Sequence, residues 1–523
     1  MTIYCGIDLG TSFCCVYYLK NGTMKVLTMD DGKHAFPSVV NYRDDGSVLV
    51  GASALRAGDI AKGKVVMNWK RLFGKDYDED YKKNVELSCR ANVINNKGKY
   101  AFSVPSRDYP ISPEMVCSEI LKWIHKKMLV IAEGDTIEYC ITLPAAYSIQ
   151  QKMSMHTVVD ISGINCNIKF VTEPAAAAVS YSIENKINDG YILVYDLGGG
   201  TFDASILKIE NRHYKVLKWN GNIDIGGEKF NMEILHWVNR RFREDIDEYL
   251  LPETDNERND AKFIRAQMLL LDQCCEAKTR LTSESLTEID IGQYFKSLYK
   301  KSKNGTQIEE EEDIDEQDMT FAIDRTTFNS LIENHINSTL QTVRACLSDI
   351  SMDMNNISYI VMVGGSSQIP FVYDALCNEF GQDKISRAVN CSECVASGAA
   401  LFIASRDIMD VTITECATRD VYISTRPGRY RCMIKAGSEI PAEGQYKYYL
   451  SEDNIGYATA MIYENSADGE SYEPVGEMVI EDESLIGRRV DLIYKFRLES
   501  DFKLTTSFSE GDNVLDEREI QVS

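Results

Sequence analysis

A short motif, Asp-Leu-Gly, occurs twice in this chain with the same surroundings. The first copy is Asp8–Gly10 and the second is Asp196–Gly198. In each copy an apolar run leads into the motif, and another apolar run leads out of it toward a polar turn. The first of those turns is Asn21-Gly22, a strong β-hairpin signal between apolar segments. Two matching hairpins predict two matching lobes, each presenting a glycine turn and an aspartate to a shared cleft.

The residue types in these two turns favour phosphate binding. Glycines permit close backbone approach, so that consecutive amide groups can point at one anion. Asp8 and Asp196 would repel bare phosphate, which implies that a cation such as Mg²⁺ lies between the carboxylates and the phosphate. Two ordinary glycine hairpins are the alternative, and an aspartate in register in both copies disfavours it. The turn residues expected to contact phosphate are Gly10, Thr11, Ser12, Gly198, Gly199, Gly200 and Thr201.

A second pair of similar segments supports an internal duplication. Each begins with an apolar strand and a small-residue loop, and a small-residue helix follows. Pro174 suits the first turn of such a helix, where its missing N–H costs nothing, and Glu173 before it can face the cleft. Helices of this kind pack closely, as hinge elements between lobes need, although ordinary core helices share the pattern. The strand–loop segments are Ile137–Tyr147 and Ile357–Pro370, and the helices contain Pro174–Val179 and Ala396–Leu401.

Charge and cysteine content limit the classes of function. The chain of 523 residues has 56 basic and 80 acidic side chains, a net charge of −24 that disfavours direct nucleic-acid or anionic-membrane binding. No apolar run approaches the roughly 18 residues of a membrane span, and no secretory signal is evident. The 15 cysteines include adjacent pairs, which suit neither disulfides nor zinc sites. Free thiols in the cytosol are therefore expected.

The chain divides into three predicted parts. Residues 1–404 alternate strands and helices in an α/β pattern, residues 405–411 form a short linker, and residues 412–523 contain short strands between turns. That last pattern predicts a small all-β sandwich. A polar, acidic segment at residues 300–318 predicts a solvated loop inserted in the second lobe. The tail strands expected from alternation include Val421–Ser424, Ala458–Tyr463 and Val490–Phe496.

Several further motifs, taken with the two turns, resemble the heat shock protein 70 (Hsp70) chaperone family of the actin-like ATPase superfamily. The resemblance implies a duplicated actin-like ATPase fold, with two lobes around a nucleotide cleft, followed by the sandwich. Actin or a sugar kinase would share the phosphate turns but not the Lys70 segment together with this tail. The matching segments, in order, are Asp8–Ser12, Lys70–Gly74, Glu173–Ala177, Asp196–Asp203, Ile225–Phe230 and Val363–Pro370.

The resemblance also implies catalytic roles for particular residues. Asp8, Glu173 and Asp196 would hold the hydration shell of the Mg²⁺ that accompanies ATP or ADP. Lys70 would reach the γ-phosphate and place the attacking water, supplying positive charge where negative charge develops. Thr201 would orient the phosphate and the water.

Asp203 shares that orienting role in the family. The other nucleotide contacts that the resemblance implies are Gly226, Gly227, Glu228, Lys278, Thr282, Gly364, Gly365, Ser366 and Gln368.

The sequence departs from the family pattern near the nucleotide and in the linker. Cys275 stands where a glutamate is expected on the adenosine side, which predicts weaker nucleotide binding. Pro144 and Lys152 match positions that relay nucleotide state, but Lys152 replaces the usual arginine. A lysine is a point charge and not a planar fork, so the relay is expected to be weaker. The linker is contracted to Asp407–Val411.

The tail resembles the family's peptide-binding domain through Met433–Pro441. The chain ends at Ser523, so the helical lid is expected to be missing. A lidless, cytosolic, ribosome-associated branch that pairs with a J-domain protein looks closest. The residues expected to line a peptide groove are Tyr430, Ser451 and Ala458.

Three functions are consistent with this resemblance. The first is a weak ATPase chaperone for nascent or unfolded polypeptides, acting with a J-domain co-chaperone and a nucleotide exchange factor, and reaching the ribosome through a partner. The second is a non-enzymatic ATP-binding scaffold for a J-domain partner, and the third is a viral homologue used in particle assembly or movement. The presence of Lys70 and Thr201 favours the first over the second, and the tail favours it over the third.

Overall fold

The computed structural model describes residues 1–523 except 30, 61, 223, 247–260, 293–319, 387–389, 392, 409, 427, 467, 468, 470 and 521–523. The acidic segment predicted as a loop, residues 300–318, lies outside the described residues.

The α-helices are numbered here in chain order. They are α1 Ala57–Ile60, α2 Glu79–Cys89, α3 Pro113–Ala132, α4 Ile149–Ser162, α5 Glu173–Asn185, α6 Gly227–Ile246, α7 Ala261–Ser283, α8 Arg325–Asp349, α9 Pro370–Phe380 and α10 Cys394–Ile408. Short 3-10 turns lie at Gly51–Ala54, Trp69–Arg71, Met354–Asn356, Gly365–Gln368, Gln382–Lys384 and Glu483–Leu485.

The β-strands before residue 412 form the α/β part of the chain. They are β1 Thr2–Leu9, β2 Phe13–Lys20, β3 Thr23–Val26, β4 Ala35–Pro37, β5 Val40–Tyr42, β6 Val48–Val50, β7 Val65–Val66, β8 Asn92–Asn96, β9 Lys99–Ser103, β10 Thr136–Leu143, β11 Asn167–Thr172, β12 Asp189–Leu197, β13 Phe202–Glu210, β14 His213–Asn222, β15 Leu286–Asp290, β16 Thr320–Asp324, β17 Tyr359–Val363 and β18 Ile385–Ser386.

The remaining strands follow the long helix α10. They are β19 Thr412–Thr414, β20 Val421–Arg426, β21 Arg429–Ile434, β22 Ala442–Leu450, β23 Tyr457–Asn465, β24 Tyr472–Glu481, β25 Val490–Leu498, β26 Leu504–Glu510 and β27 Asn513–Glu519.

Two six-stranded sheets repeat the same strand order. The first runs β11-β10-β1-β2-β3, with β4 also paired to β2, and the second runs β18-β17-β12-β13-β14-β19. In the first sheet the hairpin strand β1 pairs in parallel with β10, and in the second sheet the hairpin strand β12 pairs in parallel with β17. The Asp-Leu-Gly motifs lie in the equivalent hairpins β1–β2 and β12–β13. The duplication read from the sequence is therefore present in the topology.

The helices α5 and α10 pack so closely that only small residues fit between them. A Cβ atom added at Gly398 of α10 would lie 1.8 Å from the carbonyl oxygen of Ala176 in α5. One added at Gly6 of β1 would lie 2.2 Å from the carbonyl oxygen of Ala396. The alanines of α5 have no exposed surface, since backbones and methyl groups fill this layer. Pro174 occupies the first turn of α5, as predicted.

The linker differs from its predicted limits. Helix α10 continues to Ile408, beyond the predicted end of the α/β part at residue 404. Ser405 is buried, its hydroxyl donates to the carbonyl of Phe402 at 2.6 Å, and its own carbonyl accepts from the amide of Asp410 at 3.0 Å. Strand β19, predicted to belong to the tail, instead pairs in parallel with β14 and completes the second sheet.

The tail contains two antiparallel four-stranded sheets, β21-β20-β23-β24 and β22-β25-β26-β27. The three strands expected from alternation lie in β20, β23 and β25. Side chains from both sheets, such as Ile462, Tyr494 and Phe508, belong to one hydrophobic cluster that also includes Ile141 of the first sheet. The tail and the first half of the α/β part are thus packed together.

Two further properties concern the helices and the cysteines. Within the described parts of the chain, no helix combines the length and the apolarity that crossing a bilayer requires. All 15 cysteines lie in described positions, and none is in a disulfide.

Candidate functional site

A cavity of about 1180 Å³ opens between the two equivalent hairpins. Asp8 is the second-last residue of β1, opposite Cys15, and Asp196 is the second-last residue of β12, opposite Asp203, so the two aspartates occupy matching positions. Nearly all predicted nucleotide contacts line this one cavity. They are Asp8, Gly10, Thr11, Ser12, Gly198, Gly199, Gly200, Thr201, Lys278, Thr282, Gly364, Gly365, Ser366 and Gln368.

The glycines of the turns allow the two halves to touch. A Cβ atom at Gly199 would lie 2.7 Å from the hydroxyl of Ser12, which belongs to the other hairpin. One at Gly227 would lie 2.6 Å from the hydroxyl of Ser366 and 2.7 Å from Nζ of Lys278. Because no side chain intervenes, backbone amides and hydroxyls from both halves face the same space, which is the arrangement that favours anions.

Gly226 is held by a similar close approach. A Cβ atom there would lie 2.6 Å from the carbonyl carbon of Gly200, and the amide of Gly227 donates to Gly198 at 3.0 Å. The segment before α6 therefore supports the second glycine turn from behind. Gly226, Gly227 and Glu228 do not line the cavity with the other predicted contacts, although they touch residues that do.

Lys70 is the cation at the centre of the cavity. It lies in the Trp69–Arg71 turn with 9 % of its surface exposed, and its Nζ donates to Oε1 of Glu173 at 2.9 Å. Burial disfavours the charged ammonium, but the negative charges around it, Glu173 first among them, outweigh burial and raise the pKa of Lys70. The ammonium therefore stays charged at every working pH, with Glu173 at the start of α5 as its partner.

Three of the aspartates that line the cavity resist ionisation. Burial, reinforced by the charge of Glu173, raises the pKa of Asp8 to about 7, although Lys70 and Thr142 act in the opposite direction. The same two causes raise the pKa of Asp203 to about 7. Burial and the neighbouring carboxylates also raise the pKa of Asp196 well above its usual range. Four carboxyl groups thus share one region with a single lysine.

This donor set fits a hydrated divalent cation. Bringing a cation near Asp8, Glu173 and Asp196 would offset the mutual repulsion that raises the pKa of the aspartates. Within the described ranges, no three His, Cys, Asp or Glu side chains converge closely enough to ligate a metal ion directly. Contact through bound water, as Mg²⁺ prefers, remains the prediction for this site.

Asp203 has two hydrogen-bond partners of its own. Its Oδ1 accepts from the indole N–H of Trp219 at 3.0 Å, and its Oδ2 accepts from the hydroxyl of Thr201 at 3.5 Å. Trp219 was not among the predicted residues. It lies on β14, beside β13, and nothing in its local sequence shows that it reaches the cavity.

The far side of the cavity carries the predicted adenosine contacts. The ammonium of Lys278 donates to the carbonyl of Gly227 at 2.9 Å, and burial lowers the pKa of this lysine. The hydroxyl of Thr282 donates to the carbonyl of Lys278 at 3.4 Å, one turn earlier in α7. Cys275, which stands where the resemblance implies a glutamate, lines the cavity on the same helix.

Two ion pairs join the halves of the chain and were missed by the sequence analysis. The guanidinium of Arg71 donates to Glu228, which had been predicted only as a nucleotide contact. Arg90 lies 2.7 Å from Asp272 on α7. Each pair joins residues more than 150 positions apart, so no local pattern could have shown them.

The tail reaches the elements that carry the site. The carboxylate of Glu415 accepts from the amide of Thr172 at 3.0 Å and from its hydroxyl at 2.8 Å, and Thr172 directly precedes Glu173. The carboxylate of Glu464 accepts from the amide of Ile149 at 2.9 Å, at the start of α4. Both glutamates are buried. Hydrogen bonds therefore connect the tail to two helix starts, one of which carries a predicted metal residue.

Lys152, one of the predicted relay positions, lies in the same junction. It has 3 % exposed surface, and its Nζ lies 4.6 Å from the ring centre of Phe502 in the tail. Burial lowers its pKa, while Glu415 and Glu464 act against that shift. Pro144, the other relay position, lines the cavity.

The three predicted groove residues do not converge. Tyr430 stacks on Tyr472 with ring centres 3.9 Å apart and contacts Tyr463 edge-on, which places it on the outer face of its sheet. Ala458 lies on β23, five positions before Tyr463. Because successive side chains of a strand point to opposite faces, Ala458 faces the inner side of the sheet, where it is 8 % exposed. Ser451 is exposed in the turn after β22. Tyr430 and Ala458 therefore do not line one pocket.

Comparison with known protein families agrees with this geometry. The family described as Hsp70 protein matches residues 4–466, most of the chain. The chain therefore belongs to the Hsp70 family. Members of this family are ATP-binding chaperones with ATPase activity, which use Mg²⁺ and act with J-domain proteins, nucleotide exchange factors and unfolded polypeptides.

The raised pKa of Asp203 predicts a pH dependence of stability. Its pKa is about 7 in the folded chain, against about 4 for an unfolded aspartate. Between these two pH values the folded chain holds a proton on Asp203 that the unfolded chain has released. Asp203 therefore makes its full contribution to the free energy of unfolding below about pH 4, and this contribution is lost as the pH rises through about 7. In metal-free, nucleotide-free buffer, Asp203→Asn should melt a few degrees above the wild type near pH 8.

That difference should shrink toward about pH 5, where the wild-type carboxyl is protonated in the folded state. Asp108→Asn, which changes an exposed carboxylate, serves as the matched control and should follow the wild type throughout. Thermal melts that give Asp203→Asn the same advantage at both pH values would contradict the assigned cause.

Proposed function

We propose that this chain is an atypical Hsp70 that hydrolyses ATP slowly and assists nascent or unfolded polypeptides in the cytosol. It would act with a J-domain co-chaperone and a nucleotide exchange factor, in a complex that reaches the ribosome through a partner. One observation carries the ATPase part: a buried Lys70–Glu173 pair lies in a cavity lined by the aspartates of two equivalent hairpins.

The residues divide the work of hydrolysis between them. Asp8, Glu173 and Asp196 would hold Mg²⁺ through water, and the bound ion would neutralise charge on the phosphate oxygens. Lys70 stays protonated in this setting and offers fixed positive charge to the γ-phosphate. Because Lys70 is also engaged by Glu173, it must share its donors between the carboxylate and the phosphate, which is consistent with slow turnover.

The position of the attacking water would depend on Asp203 and Thr201. Oδ1 of Asp203 already accepts from Trp219, which fixes the carboxyl group and leaves Oδ2 to face the cavity. The hydroxyl of Thr201 lies beside Oδ2 and can donate to a phosphate oxygen instead. A carboxyl group with a pKa of about 7 can exchange a proton with that water near neutral pH.

Replacing Lys70 tests the catalytic assignment. Lys70→Ala should lower the steady-state rate of ATP hydrolysis about 10²–10³-fold, because the charge is needed mainly as the transition state develops. Nucleotide affinity, measured by titration calorimetry, should change much less. Lys33→Ala is the matched control, since this lysine lies at the cavity rim with 75 % of its side chain exposed.

Hydrolysis by Lys70→Ala at the wild-type rate would refute the role of this lysine. A wild-type protein that binds ATP but shows no turnover above the Lys70→Ala background would instead identify the non-enzymatic scaffold.

The metal assignment is tested separately. Asp8→Asn should weaken the binding of Mg²⁺-ATP far more than that of ATP in the presence of a chelator, since it removes a charge that orients the waters of the ion. Asp45→Asn, which changes an exposed carboxylate, is the control. Equal losses of affinity with and without Mg²⁺ would show that Asp8 has no metal role.

The tail is proposed to bind extended apolar peptides weakly. Ala458, which pairs with Ile480 of β24, is the small residue proposed for the side-chain pocket. Backbone hydrogen bonds along a strand and a side-chain pocket are the usual means of such recognition. The weak binding should appear as a high off-rate, since off-rates account for most affinity differences among related complexes.

A peptide series distinguishes this groove from other surfaces. Fluorescent apolar peptides should bind the full chain saturably and exchange quickly, and Ala458→Trp should abolish binding while circular dichroism melts confirm that it folds. Tyr430→Ala is the matched control, since that ring lies on the opposite face of the sheet. A loss of binding in Tyr430→Ala with none in Ala458→Trp would place the groove elsewhere.

A second function, a scaffold that docks a J-domain partner, is favoured by the way the tail is held. Glu415, Glu464 and Lys152 are all buried where the tail meets the α/β part. Breaking a buried, hydrogen-bonded charge is costly, which disfavours opening of this junction. If no apolar peptide binds the full chain, while a co-purified partner binds it tightly, the scaffold is the better description.

A further inference from the structure

A Cys-x-x-Cys pair, Cys391 and Cys394, lies at the edge of the nucleotide cavity. Cys391 lines the cavity, and Cys394 begins helix α10 with 2 % exposed surface. The carbonyl of Asn390 accepts from the amides of Glu393 at 2.9 Å and Cys394 at 3.0 Å, so the two cysteines share one helical turn. Cα atoms three residues apart in a helical turn lie about 5 Å apart, within the roughly 4.4–6.8 Å Cα–Cα separation of disulfides.

We infer that Cys391 and Cys394 form a dithiol site, which a small-molecule disulfide such as oxidised glutathione converts into an intramolecular disulfide that speeds nucleotide release. No role in the proposed ATPase cycle uses either sulfur. The effect on nucleotide release depends on the proposed function, whereas the formation of the disulfide does not.

The chemistry balances without any further reactant. The thiolate of Cys391, the cysteine that faces the cavity, attacks one sulfur of the small disulfide and expels one small thiolate. The thiolate of Cys394 then attacks Sγ of Cys391 and expels the second. Two protein S–H bonds are replaced by one S–S bond, two protons pass to solvent or to the leaving thiolates, and the small disulfide gains the two electrons.

The reaction should be slow near neutral pH. Burial raises the pKa of Cys391 and that of Cys394, so only a small fraction of each is thiolate. Thiolates are the attacking species, and the rate should therefore increase as the pH rises. Such a site responds to sustained oxidation of the surrounding thiol pool.

The two cysteines flank a residue that ties the halves of the chain together. Oε1 of Glu393 lies 2.9 Å from Nδ1 of His34, and the other oxygen accepts from the hydroxyl of Tyr17 on β2. Asn390 donates to the same carboxylate at 2.6 Å. Glu393 precedes α10, whereas Tyr17 and His34 belong to the first half, so this contact spans one side of the cavity.

The same turn supports a predicted nucleotide loop. The carbonyl of Cys391 accepts from the amide of Gly364 at 3.2 Å. Sγ of Cys394 lies 3.9 Å from the carbonyl oxygen of Cys391, and a disulfide must move it from there to Sγ of Cys391, which displaces the backbone of both cysteines. Glu393 would then leave Tyr17 and His34, and Gly364 would lose its support. Both changes loosen the cavity around a bound nucleotide.

Peptide mass spectrometry tests the disulfide on the full chain. After oxidised glutathione at about pH 8, alkylation and trypsin, both cysteines fall in the single peptide 388–406. In the wild type this peptide should lose two hydrogens and escape alkylation. Cys394→Ser should instead carry a stable glutathione adduct on Cys391, and Cys377→Ser, which removes a partly exposed thiol on α9, should behave as the wild type.

Release of a fluorescent ADP, measured by stopped flow, tests the consequence. Oxidised wild type should release it several-fold faster than reduced wild type, and dithiothreitol should reverse the change. Cys394→Ser should lack the full effect, and Glu393→Gln should release ADP faster without oxidation.

Two results would overturn the inference. Alkylation of both thiols after oxidation, or a persistent glutathione adduct on wild-type Cys391, would show that no dithiol site exists. A mapped disulfide with unchanged ADP release would refute the coupling. A chain that binds no ADP would refute the proposed ATPase function, while the peptide masses would still report on the disulfide.

Discussion

The buried ion pair between Lys70 and Glu173 is the interaction on which the site depends. One ammonium faces a group of carboxyl groups that includes Asp8, Asp196 and Asp203, and burial makes every charge there costly to leave unpaired. Without Lys70 the carboxyls would repel one another more strongly, and without them the lysine would be a lone buried cation. The remaining excess of negative charge is what makes this cavity suited to a metal-bound phosphate, and not to phosphate alone.

The fold keeps that group of charges together through backbone contact. Helices α5 and α10 approach so closely that Gly398 lies against the carbonyl of Ala176, and Glu173 is the first residue of α5. Glu415 of the tail bonds to Thr172, the residue just before it. One hydrogen-bonded position, Thr172, therefore connects the tail to a predicted metal residue.

The repeated Asp-Leu-Gly motif predicted the duplicated strand order because hairpins and small-residue helices leave local signals. Three features of the structure were not predicted from the sequence, each for a physical reason. The Arg71–Glu228 pair forms only when distant segments meet. Helix α10 extends to Ile408, and the amide of Asp410 donates to the carbonyl of Ser405 beyond its last residue, a backbone contact that the sequence does not mark. Tyr430 and Ala458 lie on opposite faces of their sheet, and the residue types alone do not reveal which face a side chain takes.

The pairing of β19 with β14 affects how readily the protein can associate with other chains through strand addition. Strand β14 would otherwise be the outer strand of the second sheet, with a row of unpaired amides and carbonyls open to solvent. Strand β19 covers the start of that row, at His213–Lys215, and the hydroxyls of Thr412 and Thr414 contact the two ring nitrogens of His213. Displacing β19 would lengthen the exposed edge of β14 and would offer other chains a longer template for strand addition.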